Sequence, residues 1–263
     1  MMGTDSTGTD LTGTDLTGTD STGTVQTVIV ADAIALALRA ADEIALEIAR
    51  KPDLSLLAAT GNTPMATYGE LAARLAAGML EVSGLRVAQL DEYLGVSDDD
   101  PRSLYRWLER SLTGPLGVTP DRLLRFHADA SDPNEDCHDF ETHLAGWGGI
   151  DLAVLGLGPN GHLGFNEPPS PAHAPTRVVD LSDESLESNA PYWNGLEVPR
   201  RAITAGMDLI LASKRVLLLV SGEHKRDILR RALLGPITPD VPASLLRHAN
   251  LTVIADRAAW NEP

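Results

Sequence analysis

The chain has 263 residues, 43% hydrophobic but only 4% aromatic, enough to fill a sizeable core packed mainly by Leu, Ala, Val and Ile. Its 37 acidic residues outnumber 21 basic ones, and the net charge of −16 argues against nucleic acid or an anionic membrane as partner, though not against a small phosphate. The sole cysteine, Cys137, rules out an internal disulfide and a cysteine-based zinc site, and it fits a reducing, cytoplasmic setting.

Residues 3–24 repeat Gly, Thr and Asp with a period of five. This stretch has neither the basic start nor the apolar centre of a signal peptide. Its period also differs from that of calcium-binding β-helix repeats, which is about nine. It cannot bury enough surface to offset its ordering entropy, so residues 1–24 are predicted to be a disordered tail. Residues 25–263 form the predicted globular domain, and no apolar run reaches the roughly 18 residues of a membrane span.

From there the chain alternates. A strand is predicted over 26–31 (QTVIVA), then a helix over 32–50 with Asp32 as N-cap and Ile34, Leu38, Ile44 and Ile48 at helical spacing. Next come a strand over 54–59, a helix over 64–80, a strand over 85–90 and a helix over 102–112. Residues 136–147 read as helix and 151–157 as strand. The last elements are a strand over 215–220, a helix over 224–234 and a strand over 251–255. Alternating strands and helices, with near-continuous apolar strands such as LAVLGL and VLLLV, predict an α/β fold. Its mainly parallel sheet would carry helices on both faces, within a single domain.

Four clusters follow predicted strands, where ligands bind in open α/β sheets. In the first, Thr60-Gly61-Asn62-Thr63-Pro64, Thr63 is a plausible N-cap and Pro64 suits the first helical turn. Free N–H groups and the helix dipole there make either an anion site or an ordinary βα turn; it is not a P-loop. The second, Leu90-Asp91-Glu92-Tyr93, offers either a general base or the acids of a solvated loop. The nearby Asp98, Asp99 and Asp100 read as solvated loop.

The third cluster is the most informative stretch, DLAVLGLGPNGHLGFNEP over 151–168. Gly156, Gly158 and Gly161 allow close approach of backbone to ligand. They do not form a dinucleotide fingerprint, because no helix follows them. His162, with Asn160, Asn166 and Glu167 close in sequence, reads as a catalytic imidazole oriented by a carboxylate in preference to a structural histidine. In the fourth, SGEHK, Lys225 opens a helix, where a cation is unfavourable unless an anion binds; the alternative is a surface lysine. His138 and His143 read as surface residues.

ATGNTPMATY, LDEYLG, VLGLGPNGHLGFNEP, AITAGM and SGEHK occur in this order over about 27–256. In this the chain resembles the glucosamine-6-phosphate deaminases, also called isomerases, of the 6-phosphogluconolactonase superfamily. The resemblance implies a Rossmann-like fold and the conversion of glucosamine 6-phosphate and water to fructose 6-phosphate and ammonia. It also implies a small-molecule amino sugar phosphate as partner, a monomer or small homo-oligomer, and no metal or organic cofactor. By the same resemblance Asp91 matches the base that moves the C2 proton, His162 the ring-opening group and Glu167 its carboxylate partner. Asn160 matches an orienting position within that catalytic group, and Gly61, Asn62, Thr63 and Lys225 match the phosphate cradle. The arginine that relatives place near Pro191 is missing, leaving Arg200 or Arg201, or a different mode of holding phosphate. A sugar-phosphate lactone hydrolase and a non-catalytic sugar-phosphate sensor are the alternatives.

Overall fold

The computed structural model describes residues 23–260, so the expected tail over 1–24 lies, except for its last two residues, outside the described residues. Among the described residues there are ten strands: β1 (Val25–Val30), β2 (Ser55–Ala58), β3 (Arg86–Gln89), β4 (Asp91–Tyr93), β5 (Leu123–Leu124), β6 (Leu152–Gly156), β7 (Arg177–Asp180), β8 (Arg201–Thr204), β9 (Arg215–Val220) and β10 (Leu251–Asp256). Seven form one sheet in the order β1-β10-β9-β6-β2-β3-β5, with every pairing parallel. This is the predicted α/β architecture, and helices cover both faces.

Alternation along the strands divides the core into two layers. On β9, Val216, Leu218 and Val220 face one layer, while Leu217 and Leu219 face the other. The second layer is filled by α1 (Ala33–Arg50), through Leu36, Ala40, Ile44 and Ile48, and by α2 (Asn62–Ala76), through Tyr68 and Leu71. Asp32 caps α1 as expected, its carboxylate accepting from Ala35 N at 2.9 Å. The helix expected over 102–112 divides into α3 (Leu104–Leu108) and a π-helical turn at Glu109–Thr113. Its Leu108 and Leu112 join the same layer. The first layer is covered by α4 (Pro133–Gly146), the short α5 (Asp183–Asn189) lying apart from it, then α6 (Met207–Leu211) and α7 (Arg226–Leu234).

The chain runs from β2 outward to β3 and β5, then returns to place β6 on the other side of β2. The carboxyl ends of β2 and β6 therefore flank the point where the winding direction reverses, the position at which open sheets leave a crevice. A second, three-stranded antiparallel sheet, β4-β8-β7, was not expected from the sequence. It stands beside this crevice, and its own apolar cluster contains Tyr93, Phe165, Trp193 and Ala202. Residues 91–93 are thus a strand paired with β8, with Asp91 opposite Thr204, and not a solvated loop. No helix among the described residues is long and apolar enough to cross a membrane.

Candidate active site

A cavity of about 640 Å³ opens at the carboxyl ends of the strands, and all four sequence clusters contribute to its wall. Gly61, Asn62 and Thr63 line it after β2, Asp91 and Tyr93 from β4, Gly158 and His162 after β6, and Gly222 and Lys225 after β9.

The β2 cluster turns more tightly than expected. Helix α2 begins at Asn62, so the N-cap is Gly61 and not Thr63, and no side chain caps it. Gly61 has φ of 115°, a left-handed conformation that glycine adopts without strain, and the space over its Cα is open. The first amides of a fifteen-residue helix are therefore left for a ligand. The Asn62 side-chain Nδ2 donates to the Tyr192 hydroxyl at 2.8 Å, and Tyr192 also lines the cavity.

Lys225 lines the same cavity. It is the N-cap of α7, one position before the helix proper, and follows a single 3-10 turn over Glu223–Lys225. Burial pushes its amine below the usual lysine range. Ser221 and Gly222 are held by Asp256 at the end of β10, through Ser221 Oγ at 2.5 Å and Gly222 N at 3.1 Å. Asp256 was missed in the sequence, where IAD reads only as the end of an apolar strand. Arg200 and Arg201 do not line this cavity; their side chains are exposed and oriented toward Glu197 and Asp180.

On β4, neighbouring side chains point to opposite sides, as a pleated strand requires. Asp91 and Tyr93 face the cavity. Glu92 faces away, accepting from Ser103 Oγ at 2.8 Å, Leu104 N at 2.9 Å and Tyr105 N at 2.7 Å. Glu92 thereby holds the start of α3. The Asp91 carboxylate accepts no such set of donors, and it lies against Gly164, where an added Cβ would come within 3.1 Å of its Oδ2. Burial, reinforced by the Glu92 charge, pushes Asp91 up to about 8. The next acids do different work: Asp98 pairs with Arg125 at 2.6 Å, Asp99 with Arg106 at 2.8 Å, and Asp100 with Arg102.

After β6 the glycines bring His162 into the cavity. Its Nδ1 lies 3.2 Å from Glu167 Oε2, and the same oxygen accepts from Asn160 Nδ2 at 2.8 Å. Asn160 Oδ1 accepts in turn from the His162 backbone N–H at 3.1 Å. Burial acts to raise the Glu167 carboxyl. The hydrogen bond and electrostatic attraction of the imidazole, with Ser185 and Asn160 beside it, overcome that and hold it at about 2. An ionised carboxylate only accepts, so Nδ1 carries the proton and Nε2 is left as the basic atom. Asn160 and Glu167 stand behind the imidazole and do not form the cavity wall. Their loop is fastened by Arg177, which donates to Asn166 Oδ1 at 2.8 Å and to Ser170 Oγ at 3.0 Å. His138 and His143 are exposed on α4, as expected. Among the described residues no group of His, Cys, Asp and Glu is arranged to hold a metal ion.

The arrangement brings together an anion cradle, a buried carboxylate of raised pKa and a histidine–carboxylate pair. Comparison with known proteins bears on the same region. The family described as glucosamine-6-phosphate isomerases/6-phosphogluconolactonase matches residues 30–255. The glucosamine-6-phosphate deaminase of Streptomyces coelicolor is 39% identical over 237 residues, 89% of this chain and 91% of that protein. The enzyme of the same name from Rhodopirellula baltica is 39% identical over 233 residues, 88% of this chain and 93% of that protein. Among solved structures, a monomeric glucosamine-6-phosphate deaminase matches with a TM-score of 0.85 at 36% identity, over 89% of this chain and 98% of its own. The 6-phosphogluconolactonase of Trypanosoma brucei gives a TM-score of 0.70 at 20% identity, over 89% and 96% of the two chains, a likeness of fold alone.

Proposed function

The chain belongs to the glucosamine-6-phosphate isomerase/6-phosphogluconolactonase family, and we propose that it acts there as a glucosamine-6-phosphate deaminase. It converts glucosamine 6-phosphate and water to fructose 6-phosphate and ammonia. The observation that carries this reading is Asp91, a buried carboxylate in the wall of the cavity that His162 also lines. Moving a proton between two adjacent carbons needs such a group. Hydrolysis of a lactone, the alternative activity, does not.

The roles follow from the chemistry. The phosphate dianion docks on the amides of Asn62 and Thr63 and on the Lys225 ammonium, which lines the same cavity. His162 Nε2 takes the proton of the anomeric hydroxyl and delivers a proton to the ring oxygen, opening the pyranose. Glu167 steadies the imidazolium formed in between, and Asn160 fixes both partners. These two are positioning residues, since neither forms the cavity wall.

Asp91 then removes the C2 proton of the open-chain aldehyde while a proton of the C2 ammonium passes to O1, giving an enolamine, and Asp91 returns its proton to C1. The resulting C2 iminium adds water and expels ammonia, leaving the ketone. In the free protein Asp91 holds a proton up to about pH 8. The ammonium at C2 of the substrate brings a positive charge to it and favours the ionised form that the step needs. A cytoplasmic setting and a monomer or small homo-oligomer are consistent with this reading; the similar structure is itself described as monomeric.

The test is incubation of the purified protein with glucosamine 6-phosphate and, separately, with a phosphogluconolactone. Release of ammonia together with a ketose phosphate is expected. Lactone hydrolysis without ammonia release would favour the alternative.

A further inference from the structure

Helix α5 has one buried residue, and it is a serine. Ser185 is 0% exposed, although its neighbours Asp183, Glu184 and Glu187 are solvated. A short amphipathic helix ordinarily turns apolar side chains inward. A buried hydroxyl at that position costs free energy unless it is hydrogen-bonded. The Ser185 Oγ lies 3.3 Å from His162 Nδ1, the same nitrogen that lies 3.2 Å from Glu167 Oε2. The backbone holds it there. Ser185 N donates to the capping Ser182 Oγ at 3.2 Å, and Ser185 O accepts from Asn189 Nδ2 at 2.8 Å.

We propose that Ser185 is a positioning residue for His162, a second partner of Nδ1 that fixes the ring plane and keeps Nε2 toward the sugar ring, while Glu167 sets the tautomer. Glu167 alone contacts Nδ1 from one direction and leaves the ring free to swing about that hydrogen bond. Two partners, one from the loop after β6 and one from α5, define the ring plane. The chain links are independent: Glu167 is five residues from His162, Ser185 is twenty-three. The site after β6 is therefore complete only when α5 is seated on it. This assignment rests on the proposed ring-opening role of His162.

The experiment compares wild type with Ser185→Ala and Ser185→Thr. Ammonia release from glucosamine 6-phosphate gives kcat and KM, and long-range ¹H–¹⁵N spectra of the imidazoles give the tautomer of His162. In wild type the spectra should show the proton on Nδ1. Ser185→Ala should lower kcat about tenfold with KM changed less than about twofold, the effect of losing one aligned hydrogen bond on a reacting group. It should also shift the imidazole ¹⁵N resonances, because Nδ1 loses one of its two hydrogen-bond partners while the proton stays on Nδ1. Ser185→Thr, which keeps the hydroxyl, should recover most of both. An unchanged His162 spectrum in Ser185→Ala overturns the proposal whatever the rate. A changed spectrum with wild-type kcat overturns it too, because the hydroxyl would then hold the ring without serving the reaction. The spectra need no turnover. Failure of wild type to release ammonia would thus count against the deaminase reading and leave the positional assignment separately tested.

Discussion

The His162 imidazole lies directly over the backbone of Gly158: a Cβ built on Gly158 would come within 2.0 Å of ring Cδ2 and 2.1 Å of Nε2. The two residues are also joined through the backbone, Gly158 N donating to His162 O at 3.0 Å. The glycine is needed here for room, since the histidine occupies the place where any other side chain would begin.

Gly158→Ala should therefore displace the imidazole, with an expected loss in kcat of about 10²-fold, in the range of losing a general acid–base group. Steady-state ammonia release checks this. Wild-type turnover in the variant would show that the ring can move aside without consequence.

Asp91→Asn should lower turnover by on the order of 10²–10⁴ and raise stability. The sign follows from linkage. The folded state keeps a proton on Asp91 up to about pH 8, whereas the unfolded chain releases it near the ordinary aspartate value of about 4. Between those values the folded state binds more protons, so this group's contribution to stability falls as pH rises through that window. The gain of Asp91→Asn over wild type should be small near pH 4.5 and largest above pH 8. Thermal melts at the two pH values test it; an equal gain at both would contradict the raised pKa.

Glu92 contributes to that raised pKa by its charge, without facing the cavity. In wild type the kcat/KM profile should rise with pH through a midpoint near 8 to a plateau above it, since this parameter reports the base of the free enzyme. Glu92→Gln should move that limb to lower pH. The substrate's own ionisations are common to both proteins, so the difference isolates Asp91. The variant should also lose on the order of 2 kcal/mol of stability, because a buried acceptor of several donors becomes neutral. A superimposable pH profile would show that Glu92 does not act on Asp91.

Lys225→Ala should raise KM for glucosamine 6-phosphate about tenfold or more, with a smaller change in kcat, since it removes one charge-assisted contact to a group remote from the reacting carbons. Titration with inorganic phosphate, followed by competition with substrate, provides a second measure. Unchanged affinity would remove Lys225 from the cradle.

The parallel sheet was legible because its strands are apolar runs separated by helices with clear periodicity. VLLLV and LAVLG read as strands buried on both faces, and they are. The antiparallel sheet was not legible. Its strands are three or four residues long, β4 is written Asp-Glu-Tyr, and its pairing partner β8 lies more than a hundred residues away. A polar triplet with no local pattern carries no strand signal. Likewise Ser185 lies in a polar stretch, SDESLESN, whose single inward position appears only once α5 is docked.

The sequence by itself determined the chemical inventory: which glycines, which imidazole, which carboxylates, and that four strand ends would supply them. It also carried the motif order by which the family is recognised. What the tertiary structure alone decided is the environment of each group. Asp91 and Glu92 are adjacent identical charges in the sequence. Pairing of β4 with β8 turns one into the buried cavity wall and the other onto the amides of α3. Burial and hydrogen bonding are set by contacts distant along the chain. They separate a carboxyl pushed up to about 8 from one that holds the start of a helix.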